Sequence, residues 1–529
     1  MIFQKLSGSG RALPYAVGVL LILTLAFQFS SLYYFPQYDG ARYWGDEFGQ
    51  VIELKTELEQ GYASIPTGKG ATVEVTNGIV RGNSWMAAFT YGLPALIFFP
   101  SFDLVSIGRT VTAVLSIGLL AMLYWSLRKL GASMLVSMSA LVVLVASRSF
   151  VFATHSARLD IAAGMAVLGW IVYVSITYKS LSAGWTPQPR WYVIFGAVTF
   201  LLVTFSIHLL TLLGPAAIYA ICLIGKGERT KAYLLSAAGV VSVAALLMGT
   251  YALAGAPMTL FGDTTHHIQS HDVLDAMPAF SPFSWSVQSS NLVQRFDQFR
   301  EEAPVILALF VIASIVLAMK WRGVDRHTRS LLLCSTIIII CWLQFQSSAV
   351  YYLAHITPLM ILCSVMVLRQ LRPRRWRMTL ALGALALVIL HVDDIRGAFA
   401  TAKEIDDQNK SAVANVLRRL PRDGSTVLTQ YPAVSRFHQT LGPRLMTTHF
   451  VNFPRDTSST ERVLHAQNVS TMLLYRTSRA HDYSFEVAPL WNVATNWDLD
   501  TVTGSFFDVG IDYFAGLHGS DTLFIATRK

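Results

Sequence analysis

Residues 350–377 read VYYLAHITPLMILCSVMVLRQLRPRRWR: an apolar run through Leu368, then Arg369, Arg372, Arg374, Arg375 and Arg377 crowded together. A run of about twenty apolar residues is what a helix needs to cross a bilayer, and an abutting arginine cluster marks its cytoplasmic end. The signature repeats along the chain. Basic residues gather at Lys5 and Arg11; Arg128 and Lys129; Lys179 and Arg190; Lys226, Arg229 and Lys231; and Lys320, Arg322, Arg326 and Arg329, always in short gaps on one side of a single threading pattern. With 369–377 these gaps hold 18 of the 41 Lys and Arg residues and, as acids, only Glu228 and Asp325, so they carry +16 where the whole chain carries +9. The rest of the chain is net acidic. The basic excess is therefore a topological signal, and no nucleic-acid partner is expected.

Composition agrees: 53% of the residues are hydrophobic and only 14% charged, too apolar for a soluble domain of this length. About eleven spans are expected, near 13–35, 104–127, 132–153, 159–178, 191–207, 209–225, 232–254, 303–319, 330–347, 350–368 and 378–393. This predicts a multi-pass protein of the inner or plasma membrane, with a cytoplasmic N-terminus and an exported C-terminus. The first run ends in Tyr33-Tyr34-Phe35, an interfacial aromatic belt rather than a small-residue cleavage site, and reads as a retained helix. Cys222, Cys334, Cys341 and Cys363 all fall within expected spans, so disulfides are not part of the design. Asn409-Lys410-Ser411 and Asn468-Val469-Ser470 fit the N-glycosylation acceptor pattern on the outer side, which matters only in a glycosylating host.

The sequence predicts two parts: a transmembrane domain over 1–393, with a first exported loop at 36–103 and a middle exported loop at 255–302, and an exported α/β domain over 394–529. In the first loop, Phe48, Val51, Ile52, Leu54 and Leu58 alternate with Glu47, Glu53, Lys55, Glu57 and Glu59 at helical spacing, which suggests a helix along the membrane surface between Asp46 and Gly61. Trp85 to Pro100 is broken at Gly92-Leu93-Pro94 and reads as re-entrant or interfacial. In the tail, helix-like stretches (Thr401 to Leu420, Thr460 to Gln467) alternate with β-rich runs (Ser425 to Thr429, Arg444 to His449, Thr471 to Tyr475, Thr522 to Thr527).

Charges that break the positive-inside rule carry the functional information, because an ionisable group at a helix end in the membrane needs a task or a partner. Arg109, Arg148 and Arg158 lie near outer helix ends. Guanidinium matches phosphate oxygens bidentately, so three such cations suggest a lipid-linked phosphate. The alternative is pairing with Asp103, Asp160 or loop acids. Asp46 and Glu47 open the first exported loop, where a carboxylate overhanging the bilayer can act as a general base or simply be solvated. Adjacent residues do not face one way on a regular element, so at most one of them is the base. His266, His267, His271 and Asp272 are either a solvated polar cluster or, through His267 and His271, a divalent-metal site if that stretch is helical.

These residues bear a resemblance. Trp44-Gly45-Asp46-Glu47 resembles the Asp-Glu motif of the first exported loop in GT-C integral-membrane glycosyltransferases, of the branch containing protein O-mannosyltransferases and lipid A aminoarabinose transferases. Arg158-Leu159-Asp160 is similar to the Arg and Asp near the outer start of their fourth span, and Tyr351-Tyr352 through Pro358 to the Tyr-rich, Pro-containing start of a late span. The order of spans and the exported tail agree. The aminoarabinose branch usually offers a Lys before Gly-Pro between its fifth and sixth spans; here Ser206-Ile207-His208 precedes Gly214-Pro215, so His208 would take that place as donor or be merely packed.

The resemblance implies a GT-C-like fold and transfer of a sugar from a polyprenyl-phosphate carrier to a glycan, lipid or protein acceptor, with inversion. Asp46 would be the base and Glu47 its neighbour in the catalytic pair. Arg158, with Arg148 and Arg109, would hold the lipid phosphate, and Asp160, His208, Tyr351 and His355 would line the donor side. Some members use a divalent cation. The alternative is a transporter or flippase of an anionic lipid-linked sugar. Such a pathway would place charges deep in several spans, whereas here they gather at one face.

Overall fold

A computed structural model describes residues 12–33, 90, 93–98, 104–154, 159–182, 184–204, 208–225, 227–253, 293, 296–297, 299–345, 350–368, 383–384, 387–388, 411–429, 437, 441, 444–447, 456–476, 484–504 and 521–529. The chain divides into two compact units: the first holds most of the apolar helical residues up to Asp393, and the second the residues from Asp394 together with Ser31–Tyr33, Leu93–Phe98 and Leu104–Gly108.

Among the described residues, the first unit contains helices and no strand. In chain order the helices before Asp393 are α1 Ala12–Tyr33, α2 Leu93–Phe98, α3 Leu104–Lys129, α4 Met134–Val145, α5 Arg148–Thr154, α6 Asp160–Ser182, α7 Pro189–Val203, α8 His208–Ile224, α9 Arg229–Leu253, α10 Pro304–Lys320, α11 Arg326–Phe345, a 3-10 turn Val350–His355, and α12 Thr357–Leu368; of these, α2 belongs to the second unit. Each expected span from 13–35 to 350–368 overlaps at least one described helix. Four of these are long and apolar enough to cross a membrane: Ile107–Lys129, Asp160–Leu181, Arg229–Gly249 and Pro304–Gly323. At about 1.5 Å per residue such helices cover the ~30 Å hydrocarbon. This is a membrane protein. Arg128 and Lys129 close α3 and Lys320 closes α10, where cations also complement the negative end of the helix dipole. Of the expected span at 378–393, only 383–384 and 387–388 are described, and both pairs are helical.

Two expected spans are interrupted. The run 132–153 stops as α4 at Val145 and resumes as α5 at Arg148. The hydroxyl of Ser147 donates to the Leu144 carbonyl at 2.7 Å and accepts from the Phe150 N–H at 3.4 Å, ending one helix and capping the next. The run 350–368 begins as a 3-10 turn and becomes α-helical only at Thr357. Pro358 has no N–H for the carbonyl of Ala354, so a helix entering from Val350 cannot continue, and proline is accommodated in the first turn of the new one.

All twelve residues of α12 are buried, which puts this helix at the centre of the bundle. In contrast, only 11% of the spanning window of α10 is buried, so most of its apolar surface is exposed. Helices α7 and α9 pack face to face through reciprocal glycines. A Cβ on Gly196 would run into the Ser236 carbonyl, and one on Gly239 into that of Val193. Beside this crossing, Trp191 stacks on Phe195 at 5.1 Å and Tyr173 at 5.9 Å, and the indole N–H of Trp170 donates to the Thr199 hydroxyl at 2.9 Å.

The second unit holds a five-stranded sheet in the order β2-β1-β3-β5-β4. The strands are β1 Thr426–Thr429, β2 Leu445–Thr447, β3 Val469–Arg476, β4 Asp498–Gly504 and β5 Asp521–Thr527. Those from β1 to β3 are parallel; β5 pairs antiparallel with both β3 and β4. Three helices flank it: α13 (411–419), α14 Thr457–Ala466 and α15 Ser484–Ala494. Strand periodicity sends Val427, Leu445, Leu473, Leu523 and Ile525 to one face with Ala412 and Val416 of α13. Leu428, Met446, Met472, Leu474 and Ala526 go to the other, with Leu464 of α14 and Leu490 and Val493 of α15. Arg419 joins α13 to β4 by donating to Asp500 at 2.5 Å and to the Thr501 carbonyl at 3.3 Å. The surface helix expected between Asp46 and Gly61 lies outside the described residues. Within the stretch Trp85 to Pro100, Leu93–Phe98 is a short helix.

Candidate functional site

Asp160 opens α6 and His355 closes the 3-10 turn, 195 positions apart in sequence, yet His355 Nε2 lies 3.1 Å from Asp160 Oδ1. Both side chains are buried, at 0% and 6% exposure respectively. A carboxylate in the first turn of a helix sits at the positive end of its dipole. Taken out of water, it also requires a hydrogen-bonding partner, and the imidazole supplies one.

A second feature makes the contact possible. Gly164 stands one turn after Asp160 on the same face of α6, and a Cβ there would lie 2.5 Å from the carbonyl oxygen of Ala354. That carbonyl is the one Pro358 cannot bond. The 3-10 turn therefore rests directly on the α6 backbone, and His355, the next residue, is held against Asp160. Helix α5 packs on the same turn and on α6. Close by, Thr357 is fully buried and its hydroxyl has no hydrogen-bond partner.

Among the residues singled out from the sequence, the structure thus brings Asp160 and His355 into direct contact, with half-buried Arg148 at the start of the helix packed beside them. Arg109 is half-buried on α3. His208 begins α8 and Tyr351 lies in the 3-10 turn, but their side chains are outside the described residues, as are Asp46, Glu47, Arg158, His267 and His271 altogether. Among the described residues, no group of three or more His, Cys, Asp or Glu side chains is arranged to hold a metal ion. Sequence reasoning missed Gly164 and the part played by Pro358. Their signals were a glycine four residues after a helix-initial Asp and a proline three residues after a buried His.

No family model and no curated protein matches the sequence. Among solved structures, an oligosaccharyltransferase of Archaeoglobus fulgidus, determined with a tethered acceptor peptide containing an NVT sequon, is similar with a TM-score of 0.51 at 10% identity, over 93% of this chain and 74% of that one. At such an identity the likeness is one of fold. The chain thus shares its fold with this archaeal oligosaccharyltransferase, in keeping with the GT-C resemblance drawn from the sequence.

Proposed function

We propose that this protein is a glycosyltransferase that moves a sugar from a polyprenyl-phosphate carrier to an acceptor at the outer boundary of the membrane. The observation that carries the reading is the buried Asp160–His355 pair, next to the Arg158-Leu159-Asp160 motif, in a chain with the fold of an oligosaccharyltransferase. In this reading, residues 1–393 form the membrane domain, with about eleven crossings, and 394–529 an exported domain. The basic gaps lie in the cytoplasm.

Asp46 takes the proton from the acceptor hydroxyl or amine as that atom attacks the anomeric carbon. The bond from that carbon to the phosphate oxygen breaks, inverting the centre, and the lipid phosphate leaves with the electron pair. Arg158, assisted by Arg148 and Arg109, meets the phosphate charge as it develops, at the low-dielectric edge of the bilayer where such contacts are strongest. Glu47 and Asp160 orient the acceptor and the arginines, and His208 and Tyr351 line the donor side. A divalent cation at His267 and His271 is compatible with this scheme and is not required by it.

The test uses full-length protein in nanodiscs with polyprenyl-phosphate sugars labelled separately in lipid and sugar. Asp46→Asn keeps shape and loses basicity, so turnover is expected to fall by ~100-fold or more, typical for a general base. Full activity in both Asp46→Asn and Glu47→Gln overturns the assignment of the base. Intact carrier in every condition, with lipid moving between leaflets, replaces the transferase by a transporter.

A further inference from the structure

The carboxylate of Asp160, the bare backbone of Gly164, the imidazole of His355 and the ring of Pro358 form one unit built from two distant segments. Pro358 leaves the Ala354 carbonyl outside the α12 hydrogen-bond ladder, and Gly164 receives that carbonyl where a Cβ would stand 2.5 Å away. Because Asp160 and Gly164 lie one turn apart on one face of α6, the distance between turn and helix at 164 fixes the distance between the side chains at 160 and 355. His355 is itself fully buried, at 0% exposure, so it acts through what it holds.

We infer that His355 is a positioning residue and Gly164 its spacer, together fixing the Asp160 carboxylate and with it the start of α6, two residues from Arg158. The inference rests on the donor-site reading above and adds to it two residues that need not touch substrate. Gly164, a residue without a side chain, thereby controls carrier recognition by setting a hydrogen bond four residues away. In chemical terms, the ligand whose binding depends on the pair is a polyprenyl phosphate.

The experiment compares Gly164→Ala, His355→Leu, His355→Gln and Gly164→Ala/His355→Leu, full length in nanodiscs, by native mass spectrometry with polyprenyl phosphate and by sugar transfer with donor KM and kcat separated. Thermal unfolding of each variant is followed in parallel. His355→Gln keeps an N–H donor within reach of Asp160 and should lose less carrier affinity than His355→Leu. His355→Leu should lose on the order of 100-fold in kcat/KM, as expected when a catalytic group is misplaced by about 1 Å. Gly164→Ala should lose a similar factor, and the double variant no more than His355→Leu alone.

Losses that multiply in the double variant, or carrier binding unchanged in both single variants, overturn the inference. So does His355→Gln as impaired as His355→Leu. If Gly164→Ala does not fold, the set Asp160→Asn, His355→Leu and the double variant asks the same question, and independent effects on carrier binding then overturn it. Wild-type protein that binds carrier but transfers no sugar removes the transferase reading, while the binding comparison still decides the roles of Gly164 and His355.

Discussion

Replacing Gly239 by alanine adds one methyl group at the tightest crossing in the helical unit. That Cβ would collide with the Val193 carbonyl oxygen and stand 2.8 Å from the Ala197 nitrogen and 2.9 Å from the Val193 carbonyl carbon, all backbone atoms that no rotamer change removes. Helices α7 and α9 must therefore separate by roughly 1 Å, and a gap of 0.5–1 Å already forfeits about a quarter to a half of the dispersion energy of the contacts it opens. Overpacking of this kind costs about 1–3 kcal/mol. Gly196→Ala meets the Ser236 carbonyl from the other side and should cost a similar amount. Because either methyl opens the same gap, the double variant should lose less than the sum.

The internal control is Gly249→Ala on the same helix, where nothing lies within 4 Å. There the loss of a glycine from a helix interior should be neutral or stabilise by about 0.5–1 kcal/mol. Reversible unfolding of the full-length protein in mixed micelles, titrated with SDS and followed by circular dichroism, reads all four variants. A Gly239→Ala midpoint equal to that of Gly249→Ala, or strictly additive losses at 196 and 239, refutes the close crossing.

Arg158→Lys keeps the charge but not the planar fork, so donor affinity and turnover at saturating donor should both fall, and Arg158→Ala should be worse; unchanged kinetics would remove Arg158 from the site. Trp170→Phe loses the 2.9 Å bond to Thr199, whose own hydroxyl still donates to the Phe195 carbonyl, so about 1 kcal/mol should be lost in the same unfolding assay. In the second unit, Asp423 is held below its ordinary range by hydrogen bonds from Ser425, Asp456 by the backbone and side chain of Ser459, and Asp500 by the Thr501 N–H and Arg419. Their folded values lie below the unfolded ones. The stabilisation is thus present above about pH 4 and lost as pH falls below it, which amide-exchange protection of β1 to β5 at about pH 5 and pH 3 will measure. A reporter fused after Lys529 should be exported, and one between Lys320 and Arg329 cytoplasmic.

The helical unit was legible because run length and charge placement are properties of the chain itself. The limits of α3, α6 and α9 fall close to those expected from hydropathy. The interruptions were not, since hydropathy averages over Ser147 and Pro358, and each acts through one hydroxyl or one missing N–H. In the second unit, β1, β2, β3 and β5 lie within or overlap the β-rich runs, while β4 was missed. Its sequence, Asp498-Leu499-Asp500-Thr501, carries acids that strand preference penalises and that an edge tolerates. Pro489 likewise hid α15. For the site, Asp160 and His355 were each identified by type and place, but a contact spanning 195 positions is a property of packing.

The sheet also bears on how the protein behaves in a concentrated sample. Among the described residues its two borders are β2, only three residues long, and β4, lined with Asp498 and Asp500. A strand arriving at either border finds too few free backbone groups or charged side chains, Asp498 paired with Lys529 and Asp500 with Arg419, that resist burial in a cross-β stack. Both broad faces are already occupied by helices. Clumping during purification should therefore originate on the exposed apolar surface of helices such as α10, and yield to added lipid or detergent instead of maturing into fibrils that resist denaturant.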